Sequence, residues 1–157
     1  MTHRGMALMA VFTATLCCVT VGPIAGAAAS SRSIKVAIVR YGPKIKASEE
    51  AVSKAVEEFK TSNDPTGVES AIGNAAAVLS SLRSKVAHQS AATPRVKKAK
   101  TKILQGLHAL VAGYKVLSKA YAEKATSPAA ASADAHSSLV LIAKGKKELD
   151  QGASLLP

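Results

Sequence analysis

Beyond position 30 few side chains could do chemistry. The histidines there are His88, His108 and His136, and the carboxylates cluster as Glu49, Glu50, Glu57, Glu58, Asp64 and Glu69. A di-iron site of the helical-bundle kind needs Glu-x-x-His pairs on facing helices, and the chain has none. His108 alone could ligate a haem, but no Cys-x-x-Cys-His run attaches one, and a solvent-facing histidine is the simpler reading. Lys54 and Lys60 are interleaved with the carboxylates at about one helical turn. That is the pattern of a solvated face carrying i,i+4 ion pairs, not of a catalytic acid–base pair. The chain also lacks a phosphate-cradling Gly-rich loop, a G-x-S-x-G nucleophile elbow and a zinc-protease motif. The expectation is a protein that is not an enzyme, with no catalytic residue, metal or cofactor.

What remains is charge. Lys and Arg number 21 against 10 Asp and Glu, a net of +11. The densest run is Arg95-Val96-Lys97-Lys98-Ala99-Lys100-Thr101-Lys102, directly after Thr93-Pro94. If a helix starts there, its dipole opposes these cations by about 0.3–1 kcal/mol each. Selection for helix stability alone would place acids at this position. The candidate anion-binding residues are therefore Arg83, Lys85, Arg95, Lys97, Lys98, Lys100, Lys102, Lys144, Lys146 and Lys147. The competing reading is a charge run that only keeps the protein soluble.

The elements that must position these groups are helices. Alanine is abundant, aromatics make up 3% of the chain, and few stretches alternate in the manner of strands. Asp64-Pro65, Thr93-Pro94 and Ser127-Pro128 each pair an N-cap residue with a proline at the first helical position. With a first helix from Ser33, they predict helices near 33–61, 65–90, 94–125 and 128–154. Apolar spacing agrees. Ile34, Ile38, Tyr41, Ile45, Ser48, Val52, Ala55 and Phe59 alternate steps of four and three. Val68, Ile72, Ala75, Leu79, Leu82 and Val86 repeat the rhythm, as do Ile103, Leu107, Leu110, Tyr114, Leu117 and Tyr121. The fourth seam, Ala135, Leu139, Ile142 and Leu149, is weaker. A coiled-coil-like repeat with short connections predicts an all-α, up-down-up-down antiparallel four-helix bundle with helices roughly 40 Å long. Gly42-Pro43 should bend the first helix without ending it, since the seam keeps its register on both sides. Gly106, Gly113 and Gly145 should allow close helix approach.

In that topology one end of the molecule gathers most of the cations. Arg32, Lys35, Arg40 and Lys44 join the ten candidates and Lys46 there, opposed only by Glu148 and Asp150. The first 29 residues read as a signal peptide. Arg4 precedes an uncharged apolar run from Met6 to Val21, then a Gly22-Pro23 break and small residues from Ala25 to Ala29. Residues 30–157 are then one mature domain without Cys17, Cys18 or any methionine, so without thiol chemistry. The alternative is an uncleaved N-terminal anchor. A lipoprotein anchor fits neither cysteine, since neither has a Leu three residues before it and a small residue directly before it.

The functional expectation is an exported protein of the cell envelope or extracellular space. Its basic pole would bind an anionic cell-wall polymer, lipid headgroups or an acidic protein. The alternative is a small-ligand or cofactor carrier, with the ligand near Tyr114, His108 and the interior glycines. Nucleic acid is a poorer partner, because stacking aromatics are scarce and export removes the target. No stable membrane span is expected after cleavage.

Overall fold

A computed structural model of the chain describes residues 28–157, so the segment read as a signal peptide lies outside the described residues except for Ala28 and Ala29. The described residues are all-α: α1 (Ala28–Ser62), α2 (Thr66–Ala87), α3 (Pro94–Glu123) and α4 (Pro128–Leu155), with no strand. α1 begins before the expected start of the mature chain and runs on through Pro43. α2 stops at Ala87, short of the predicted boundary at residue 90, where His88 forms the C-cap.

The three cap–proline pairs differ: at α2 the N-cap is Pro65 itself, one residue later than predicted, and Asp64 closes a turn just before it. Asp64 Oδ1 accepts from the Thr66 backbone N–H at 3.0 Å and from its hydroxyl at 2.7 Å. Thr93 is extended (φ −112°, ψ 156°), and its Oγ1 accepts from the Val96 N–H at 3.2 Å. Ser127 differs, because its hydroxyl makes no cap bond. Its backbone, at φ −142° and ψ 69°, is not in the extended conformation that aims a cap oxygen into the first turn. Before the first of these caps, α1 ends with Asn63 in the left-handed region (φ 55°), its N–H donating to the Phe59 carbonyl at 2.9 Å.

The seams of α1, α2 and α3 form the core. Ile34, Ile72, Ile103, Leu107, Val68, Val86 and Val96 are its largest fully buried apolar side chains. α4 packs by a different device. Ala99, Gly106, Gly113 and Ala120 recur every seventh position on α3 and are buried. Ala131, Ser138, Gly145 and Gly152 do the same on α4. These two small-residue stripes bring α3 and α4 closer together than any other helix pair. A Cβ built on Gly106 would lie 2.7 Å from the Gly145 carbonyl oxygen, and one on Gly152 2.6 Å from Ile103 Cγ1. Gly113 meets Ile142 and Ser138. Contacts at rising positions on α3 fall at descending positions on α4, so these two helices run in opposite directions. Lys102–Glu148 (2.7 Å) and Lys119–Asp134 (2.9 Å) link the pair from either end.

α2 packs against both α1 and α3, while the backbones of α1 and α4 scarcely approach each other. Phe59 and Tyr121 meet edge to face with centroids 5.2 Å apart, and Lys124 Nζ lies 4.5 Å above the Phe59 ring. These contacts bring the C-terminal ends of α1 and α3 together.

Candidate functional site

Three contacts assemble the opposite end. Ser30 Oγ, in the first turn of α1, accepts from the Ala92 N–H in the connection between α2 and α3, at 3.3 Å. Lys100 Nζ donates to the carbonyls of Ala87 and Gln89, at 2.6 Å each. Arg95 Nε donates to the Leu155 carbonyl at 2.9 Å. The start of α1, the end of α2, the start of α3 and the end of α4 therefore lie together.

These contacts also explain part of the cationic run that opens α3. Its own helix dipole disfavours positive charge there, but the negative C-termini of α2 and α4 lie alongside. Lys100 and Arg95 satisfy carbonyls those helix ends leave open. Lys102 is occupied by Glu148. These three candidate residues thus hold helices together, whatever else they do. Arg83, Lys85, Lys97, Lys98, Lys144 and Lys147 are exposed. None of the six lies within ion-pair distance of a carboxylate among the described residues. Lys146 is half-buried, and its charge acts on Glu49 of α1.

Glu50, Glu57 and Glu58 form the expected solvated face, whereas Glu49 is half-buried and turns toward the interior. Lys54–Glu58 (3.7 Å), Lys46–Glu50 (3.9 Å) and Lys60–Glu57 (2.6 Å) are exposed pairs within α1. His88, His108 and His136 are all exposed, and His88 Nδ1 lies 2.7 Å from the Ser84 carbonyl oxygen of its own helix.

Between the four helices lies a cavity of about 250 Å³ with mostly aliphatic walls. Ile38 and Ile45 of α1, Leu79 and Leu82 of α2, Leu107, Leu110 and Tyr114 of α3, and Ile142 and Leu149 of α4 face it. Its polar groups are few: Lys35, Ser48 and Glu49 from α1, Tyr114 from α3, and Lys146 and Asp150 from α4. Burial raises the Glu49 carboxyl above its ordinary value of 4.5, and the charge of Lys146 partly offsets this. Burial, reinforced by Glu49, also pushes the Tyr114 phenol up, so it stays protonated at any physiological pH.

Of the residues expected around an interior ligand, Tyr114 lines this cavity. His108 points to solvent, and Gly106, Gly113 and Gly145 are taken up by the α3–α4 contact. The sequence signal for the seven-residue stripe through Gly152 is small residues at a fixed spacing, which carry little hydropathy beside the large apolar seams. Comparison of the chain with protein-family models, with curated proteins and with solved structures finds no match. Among the described residues no helix is long and apolar enough to cross a membrane.

Proposed function

We propose that this is an exported, non-enzymatic protein, an up-down-up-down four-helix bundle whose basic pole binds an anionic surface. The observation that carries the reading is the set of exposed cations Arg83, Lys85, Lys97, Lys98, Lys144 and Lys147, contributed by α2, α3 and α4. A charge run that served only helix stability would be used up in capping and ion pairing, as Arg95, Lys100 and Lys102 are. These six are not.

Lipid headgroups suit the pole better than a purely polar polymer. Val36 and Val39, 56% and 57% exposed, sit in the same half of α1 as Arg32, Lys35 and Arg40. Apolar side chains next to cations favour the boundary between headgroups and acyl chains. The test is sedimentation with vesicles of anionic or zwitterionic lipid. Binding should require the anionic lipid and fade as salt shortens the screening length from about 10 Å at 0.1 M to about 3 Å at 1 M. Retention indifferent to salt or to lipid charge would overturn the reading. The cavity favours a second activity, the carriage of a small ligand in the bundle interior.

A further inference from the structure

We infer that the interior cavity is a binding site for a single-chain anionic amphiphile, one acyl chain ending in a carboxylate, held in a slot that opens between α1 and α4. Three features lead there. The first is shape. The cavity is faced by α3 from Ile103 to Tyr114, a stretch about 17 Å long. A volume of about 250 Å³ spread over that length is narrow. It suits one extended chain better than a fused-ring or branched ligand.

The second feature is access. α1 and α4 scarcely approach each other, and the lining includes Asp150 and Ala153, both exposed. The cavity therefore reaches the surface beside α4. The third is the charge at the mouth. Glu49 and Lys146 offset each other across the slot. Lys35, half-buried at the rim, has no carboxylate within ion-pair distance among the described residues. Asp150, the remaining acid of the rim, is exposed, so of these two rim charges only Lys35 is drawn into the slot. A carboxylate head is matched at this mouth and a cationic head is not. The aliphatic walls leave the tail without polar partners and recognise it by burial alone.

This inference goes beyond surface binding by the pole, and the two can fail separately. The test is calorimetric titration of the purified protein with monomeric straight-chain carboxylates from octanoate to hexadecanoate. Dodecanol and dodecyltrimethylammonium are the head-group controls. Affinity should rise about four-fold per added methylene and level off once the chain outgrows the slot. Dodecanoate should bind at least ten-fold more tightly than dodecyltrimethylammonium. Lys35→Gln should weaken dodecanoate several-fold and leave dodecanol unchanged. Ala75→Phe, at a wall position only 1% exposed, should fill the cavity and abolish binding of every chain. Ala153→Phe does the same at the exposed rim, where the fold is not at risk, and should weaken every chain at least ten-fold. No saturable binding of any chain, or binding that survives Ala153→Phe, overturns the site. Equal affinity for all three head groups overturns the carboxylate assignment. Loss of vesicle binding with chain binding intact would overturn the pole reading and leave this one standing.

Discussion

Gly106→Ala is the sharpest probe of the fold, because two opposing effects of known size meet at one atom. Alanine in place of glycine inside a helix stabilises by about 1 kcal/mol through propensity. At position 106 the new Cβ would lie 2.7 Å from the Gly145 carbonyl oxygen and 2.8 Å from both Leu149 N and Leu149 Cγ. Two of those three atoms are backbone, so no side-chain rotation relieves the overlap and α4 must shift outward. The shift is felt along the seam, from Ala99–Gly152 to Gly113–Ser138. Overpacking of this kind costs up to about 3 kcal/mol, which leaves a net loss of about 2 kcal/mol. For a domain of this size that lowers Tm by about 6–10 °C. Gly73→Ala is the internal control. Gly73 is exposed in mid α2 with nothing within 4 Å of a built Cβ, so the same substitution should raise stability by about 1 kcal/mol. Thermal and urea unfolding followed by circular dichroism read both. If Gly106→Ala matches or exceeds wild type, or if the two variants shift in the same direction, the close α3–α4 contact is refuted.

Three further outcomes follow from the same geometry. Ser138→Ala should stabilise by about 1 kcal/mol in urea unfolding, since the Ser138 hydroxyl is fully buried without a hydrogen-bond partner. A destabilised variant would point to a bond the hydroxyl does make. Burial raises Glu49 above 4.5, so its contribution to stability is fullest below the unfolded value and is lost as pH rises through the folded one. Glu49→Gln should flatten that part of the stability–pH curve, and a curve unchanged in shape would count against the buried carboxyl. Asp64 runs the other way. The Thr66 N–H and hydroxyl hold its carboxyl below 3.8, so its contribution is present above the unfolded value and lost as pH falls through the folded one. Asp64→Ala should shallow the acid limb of unfolding; an acid limb identical to wild type would rule out the Asp64–Thr66 bonds.

Much of the fold was legible because its signals are local. Asp64-Pro65 and the Thr93 cap with its proline mark helix starts to within a residue without reference to the rest of the chain, and the large apolar seams of α1, α2 and α3 follow the helical repeat. α4 was hard to read for a physical reason. Its buried face is Ala131, Ser138, Gly145 and Gly152, residues that carry almost no hydropathy and work by being small against a matching stripe on α3. The basic pole could be listed from the sequence, but not sorted. Lys97 and Lys100 look alike in the run, and only the fold shows that Lys100 reaches the end of α2 while Lys97 is exposed. The cavity could not be located at all. It arises where α1 and α4 fail to close on each other, and no single segment encodes that gap.

The central claim is that binding follows the position of the free cations, not net charge alone. Two variants of equal charge test it most directly. One is neutralised at the pole, with Lys97, Lys98, Lys144 and Lys147 changed to Gln. The other is neutralised elsewhere, with Lys54, Lys60, Lys115 and Lys124 changed to Gln. Both are measured for sedimentation with anionic vesicles at low and high salt. The pole variant should lose at least ten-fold in affinity and most of its salt dependence, while the second variant stays within about two-fold of wild type. Equal losses in the two variants would contradict the account.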